Sequence, residues 1–283
     1  MSNQLDLDFD TPEPIDLYVE TGRGSVDVTA IGTTRTTVRI TGERAEEFDV
    51  RDLDDGRGER RIAIIAPNRS GGFFGRDPRV DIVVEVPVAS GLHAKVGSSD
   101  VATHGRLADA RIDTGSGDVT LEVVEGDLVI HSGSGDLSVE HLVGEAHLKA
   151  GSGDIVVHRA ESRLVVTTGS GDVRVEDARA ELAVKTGSGD AQVHSLGGEA
   201  VFTTGSGDLV VHQVASSRIT AKTASGDLRI GVVAGTPVWT DVRTSSGRLS
   251  SSLPRTGEPA PGEPYLELRA TTASGDVTLH PSS

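Results

Sequence analysis

The chain contains no cysteine, which excludes disulfides, thiolate metal sites and cysteine nucleophiles. Aromatic residues are scarce, with five Phe, two Tyr and one Trp in 283 residues, so the core falls to aliphatic side chains. Positive charge is also short: Lys and Arg total 27 against 43 Asp and Glu, a net charge of −16. That balance opposes sequence-independent binding to nucleic acid or to an anionic membrane, since both need a basic face. No apolar run approaches the roughly 18 residues of a membrane helix. The N-terminus, MSNQLDLDFDTPEP, lacks a basic segment followed by an apolar one. A cytoplasmic chain without membrane insertion is the resulting expectation. The P-loop, zinc-protease and nucleophile-elbow motifs are missing too, so no enzyme, catalytic residue or cofactor is expected.

What the sequence does have is a repeat. Gly-Ser-Gly-Asp recurs six times, closing on Asp118, Asp136, Asp154, Asp172, Asp190 and Asp208, each 18 residues after the last. A worn copy ends at Asp100, again 18 residues away, and further copies end at Asp227, Arg248 and Asp276 after intervals of 19, 21 and 28. Aligned on the Asp, the first and third following positions are apolar (Ile155 and Val157, Val173 and Val175), as are the tenth and twelfth (Leu164 and Val166, Leu182 and Val184). Each pair is spaced by two, the period of a half-buried strand. A weaker apolar column at plus six (Val124, Leu142, Ala160, Ala178, Leu196) turns inward between them.

Two short strands per fixed repeat define a solenoid in which like residues stack. The fold expected is therefore all-β: a single-chain parallel β-solenoid of about 18 residues per turn, right-handed by the crossover rule. Residues 96–230 form its regular part. Residues 1–95 read as irregular strands that cap its N-terminal end, and 231–283 as irregular C-terminal turns of the same solenoid, with a Pro/Gly-rich loop at 252–264.

With the GSGDV repeats, the strand VDIVVEVP at 80–87 and the ending GTPVWTDVRTSSGRLSSSL…LRATTASGDVTLH, nearly the whole chain resembles the bacterial "putative adhesin" β-strand-repeat proteins, a family of domains of unknown function. The resemblance implies a parallel β-helix and an adhesin-like role.

Several features carry candidate chemistry. The Gly-Ser-Gly corner reads either as a sharp bend between strands or as a nest of N–H groups for an anion. The Asp column resembles calcium-binding repeats, but those recur every nine residues on both sides of a coil, and one Asp per turn supplies too few oxygens. Four residues after the Asp lies an outward column in which Glu176, His194 and His212 are best placed to share a metal; the other reading is a solvated stripe, and no metal is expected. Phe73 and Phe74, paired in a glycine-rich loop, read as a partner-binding hot spot or as a flap over the solenoid end. Trp239 reads as packed into the C-terminal cap. The LPRTG run at 253–257 lacks the apolar span that a sorting signal requires.

The function expected is a non-enzymatic scaffold or protein-interaction module, adhesin-like, with an unidentified protein partner and a monomeric or weakly self-associating state. One rival is a polymerising scaffold whose ends stack as in bactofilin-like filaments, which light scattering against concentration distinguishes. Another is a carbohydrate-active β-helix enzyme, which needs clustered carboxylates and a cation in one groove.

Overall fold

All five apolar columns of the repeat face inward in the computed structural model, which describes residues 3–54, 60–67, 78–254 and 264–282. The turn after Asp154 shows the pattern. Ile155, Val157 and Ala160 are buried along one strand, and Leu164, Val166 and Thr168 along the next. Burying each aliphatic side chain is worth roughly 1.5–3 kcal/mol. One turn alone cannot offset its lost chain entropy, so turns stabilise one another by stacking. The fold is an all-β, predominantly parallel β-solenoid. Among the described residues helix is limited to one 3-10 turn, Ala45–Glu47, and no helix is long and apolar enough to cross a membrane.

The chain forms two compact units, Met1–Gly144 and Glu145–Ser283. The first holds β1 (Asn3–Asp10), β2 (Asp16–Ile31), β3 (Arg35–Gly42), β4 (Asp49–Asp54), β5 (Arg60–Ile65), β6 (Arg79–Pro87), β7 (Gly91–Leu107), β8 (Ala110–Thr114), β9 (Val119–Val124), β10 (Leu128–Ser132) and β11 (Leu137–Leu142). The strand β7 spans a whole rung, pairing in parallel with both β8 and β9, and stacks on β2 in register from Asp16↔Gly91 to Ala30↔Gly105. On its other side β2 pairs in parallel with β5 and then β6.

Beyond that point the pairing turns antiparallel: β3 lies against β6, β1 against β3, and β4 against β5. The edge strands are charged, with Asp6 on Arg39 at 2.9 Å and Asp8 on Arg35 at 2.7 Å, a pattern that discourages pairing with another chain.

The second unit holds β12 (Ala146–Ala150), β13 (Ile155–Ala160), β14 (Leu164–Thr168), β15 (Val173–Ala178), β16 (Leu182–Thr186), β17 (Ala191–Leu196), β18 (Ala200–Ser206), β19 (Leu209–Val214), β20 (Ser217–Ser225), β21 (Leu228–Val232), β22 (Val238–Thr244), β23 (Leu249–Ser251), β24 (Leu266–Ser274) and β25 (Val277–Pro281). Even-numbered strands from β12 to β20 stack into one wall, odd-numbered strands from β13 to β21 into another, all parallel and mostly in register.

The last turns do not follow chain order. The strand β24 lies between β20 and β22, and β25 between β21 and β23, so the Asp276 turn precedes the Arg248 turn along the stack. The final rung is therefore β22 and β23, and among the described residues nothing pairs with its outer side. Trp239 on β22 is 48% exposed, with the Arg269 guanidinium 5.8 Å from its ring centroid, rather than packed in a cap.

Candidate functional site

The repeated corner is the most built feature of the exterior. The second glycine of each corner lies directly on the backbone of the turn below: a Cβ at Gly171 would sit 1.9 Å from the Gly153 carbonyl oxygen. The N–H of Gly171 donates to Thr168 Oγ1 at 3.1 Å, and that of Gly189 to Thr186 Oγ1 at 2.9 Å. The N–H of Ser188 donates to the Gly169 carbonyl at 3.1 Å. These corner donors are occupied by the coil itself, which removes the basis for an anion nest.

The Asp column has the same internal character. Asp118 N–H donates to Asp100 Oδ1 at 3.0 Å, and Asp136 N–H to Asp118 Oδ1 at 2.9 Å. In the second unit the chain of caps runs through Asp154, Asp172, Asp190, Asp208, Asp227 and Asp276 at 2.8–2.9 Å and ends on the N–H of Arg248. One carboxylate oxygen per turn thus satisfies a backbone donor in the next turn, as a helix N-cap residue does for its helix. The spacing of the Asp residues was legible, but this role was not, because period alone does not reveal an acceptor's direction.

His194 and His212 stand on neighbouring rungs with ring centroids 5.7 Å apart, tilted by 39°. Gln192 Nε2 lies 3.0 Å from His212 Nε2. Glu176 occupies the matching position one rung earlier and is half-buried. Among the described residues no group of three or more His, Asp or Glu converges as a metal site. Phe73 and Phe74 lie outside the described residues.

The first unit carries a groove of about 600 Å³ lined by Ile15, Leu17, Arg60, Arg61, His93 and Arg111. Its arginines already face carboxylates: Arg60 meets Asp52 at 2.6 Å, Arg61 meets Asp16 at 3.3 Å and Arg111 meets Asp113 at 3.3 Å. His93 packs edge-on to Tyr18 at 5.1 Å. Burial pushes the His93 pKa down, and Lys95 and Arg111 add to the effect. Burial and the hydrogen bond to Glu20 push the Tyr18 phenol up to about 12.

A further column escaped a reading concentrated on apolar positions. The chain has four lysines, Lys95, Lys149, Lys185 and Lys222, and each stands five residues before a corner residue (Asp100, Asp154, Asp190 and Asp227). All other cations of the Lys and Arg set are arginines. In the second unit the register places Lys149, Thr167, Lys185, Thr203, Lys222, Thr271 and Arg243 in one outward row on successive rungs. Beside it runs a row of His147, Val165, Ala183, Val201 and Thr220. Neither row contains a carboxylate across those five rungs. Tallying outward positions by residue type would have exposed this signal.

Such an 18-residue parallel coil defines a class, the β-solenoids, and sequence comparison gives the family. A family model matches residues 15–280, and the chain belongs to the Toastrack DUF4097 family. Solved structures also resemble it. One is titled a "putative cell adhesion protein" from Clostridium sporogenes (11% identity, 99% of both chains, TM-score 0.26). Another is titled a "putative lipid binding protein" from Parabacteroides distasonis (11% identity, 99% of this chain and 97% of that one, TM-score 0.39). A third is titled a "putative adhesin" from Bacteroides fragilis (14% identity, 98% and 97%, TM-score 0.34). No curated protein matches the chain.

Proposed function

We propose that this Toastrack β-solenoid is a non-enzymatic scaffold that presents an outer face to a protein partner. The observation that supports this reading is where the repeated residues go. The aliphatic columns fill the core, the corner threonines and glycines shape the bend, and the Asp carboxylates cap backbone donors of the next turn. What remains free to differ is a set of outward columns held at a fixed rung spacing, a geometry suited to recognition. In the same reading residues 1–95 cap the N-terminal end, and 231–283 supply the final turns.

Affinity capture from the native host, followed by reconstitution from purified components, tests it. The expected result is a stoichiometric complex with one protein. Turnover of an added substrate such as polygalacturonate by the purified chain, with no protein retained, would overturn it. The open outer edge of β22 and β23 favours a second reading, end-to-end association into a polymerising scaffold. Light scattering that climbs without limit as concentration rises would support that alternative, and a flat profile would remove it.

A further inference from the structure

We infer that the lysine row of the second unit binds an extended acidic polysaccharide, one that carries a carboxylate at a regular interval along its chain. The argument starts from segregation of charge. On a chain with a net charge of −16, Lys149, Lys185 and Lys222 stand exposed in a single column, and none makes an ion pair among the described residues. Several arginines of the same unit behave differently: Arg163 meets Glu181 at 3.2 Å, Arg179 meets Glu161 at 3.1 Å, and Arg218 meets Glu199 at 2.9 Å. At physiological salt, charges more than about 8 Å away are largely screened, so a ligand at this row feels the lysines more than the remote carboxylates.

Spacing then selects the ligand. Lysines occupy alternate rungs, and rungs lie about 4.8 Å apart, so the cations repeat at roughly 9.6 Å. An extended peptide presents same-face side chains at about 6.6 Å, which falls out of step within two or three charges. A sugar chain with one uronate per disaccharide stays close to the lysine interval. Thr167 and Thr203 place hydroxyls between the cations, where they can bond to sugar hydroxyls. The neighbouring Val165, Ala183 and Val201 offer a flat apolar strip for the ring faces; Val201 is 44% exposed. Lysine fits this task, because its compact ammonium engages isolated charges from a flexible stem, whereas arginine favours fixed bidentate pairing.

The test uses the purified full chain and labelled hyaluronan oligosaccharides, with neutral dextran and polyaspartate of matched charge as comparisons. Hyaluronan should bind, more tightly as the oligosaccharide lengthens to span three lysines, and more weakly as salt rises. Dextran should not bind. The triple variant Lys149→Gln, Lys185→Gln, Lys222→Gln should lose at least tenfold in affinity, and the corresponding triple Arg variant should recover most of it. Circular dichroism confirms that each variant folds. Absence of hyaluronan binding at millimolar concentration overturns the inference, as does a triple Gln variant that binds unchanged. Equal or tighter binding of polyaspartate also overturns it, pointing instead to an acidic protein segment. Failure of this inference leaves the protein-scaffold reading standing, and capture from the host tests that reading separately.

Discussion

The Asp154 carboxylate accepts the backbone N–H of Asp172 through Oδ1 at 2.9 Å, from one turn of the coil to the next. Asp172 in turn caps Asp190 at 2.8 Å. The most repeated charged residue of the sequence is therefore a structural acceptor, which explains its place at the close of each Gly-Ser-Gly corner.

That role separates two substitutions at Asp172. Asp172→Ala removes the acceptor and leaves the Asp190 N–H without its partner, a loss of about 1–2 kcal/mol. Asp172→Asn keeps an oxygen of the same reach. It gives up the charge-assisted part of the bond, but it also relieves repulsion from carboxylates about 4.8 Å away, so the net change should stay under ~1 kcal/mol. Urea unfolding of both variants decides the matter. Equal losses would mean that charge, not the acceptor, holds the corner.

The corner hydroxyl predicts a stabilising change. Thr168 and Thr186 each accept a glycine N–H three residues on, whereas the same position one turn earlier is Ala150, which is 4% exposed and in register with Thr168. Ala150→Thr should add a bond to Gly153 and raise stability by about 0.5–1.5 kcal/mol. Ala150→Val adds similar bulk without the oxygen. A gain of the same size from Val, seen by thermal melting, would trace the effect to packing.

The same logic inverts at Thr204. Its Oγ1 is buried without a partner, because the Gly207 N–H donates to the Ser225 carbonyl at 3.1 Å instead. Thr204→Val should therefore be neutral or stabilising, while Thr186→Val should cost about 1–2 kcal/mol by stranding the Gly189 N–H. A matched loss at both positions in denaturant titrations would contradict the bonding pattern at these two corners.

How far the sequence revealed this molecule depends on the kind of contact. Strands such as Ile155–Ala160 were legible because Ile155, Val157 and Ala160 repeat with the period and all turn inward. Within the irregular strands of 1–95, the strand VDIVVEVP at 80–87 lies in β6, where Val80, Ile82, Val84 and Val86 alternate inward. The antiparallel pairing of β3 with β6 was not legible, because alternation fixes a face and not a direction. Nor was the insertion of β24 between β20 and β22: three worn repeats carry no mark of their spatial order, and Leu268 fits against Ile219 as well as any later aliphatic would. The exposure of Trp239 follows from that order, since it places β22 on the outermost rung.

Interior and exterior positions one residue apart test the phase of β15. Val175 is fully buried, while Arg174 is exposed and donates to Gln192 Oε1 at 3.2 Å. Val175→Asp introduces an unpaired charge among aliphatic neighbours and should cost several kcal/mol, enough to unfold much of the population at 37 °C. Arg174→Ala should cost under ~1 kcal/mol. Circular dichroism melts that fall equally for the two would refute the phase.

The last expectation concerns acid. Glu267 on β24 is 8% exposed and lies between Arg218, whose Nε donates to Oε2 at 3.0 Å, and Arg269, whose Nη2 is 2.6 Å from Oε1. The hydrogen bond from Arg218, against the opposing effect of burial and with help from Arg269, holds this carboxyl below its ordinary value of 4.5. A carboxyl whose folded pKa lies below its unfolded one stabilises the fold above the unfolded value, and that contribution is lost as pH falls through the folded value. Glu267→Gln should therefore be less stable than the natural protein at neutral pH by about 1 kcal/mol, since it removes the charge that two guanidinium groups share and leaves Arg218 with Glu199 alone. The gap should stay constant between pH 8 and about 6, then narrow as the pH drops below 4.5. Paired urea titrations across that range measure it. A gap that persists unchanged at the acid end would assign the loss to shape rather than charge, and a gap that widens there would reverse the sign of the coupling.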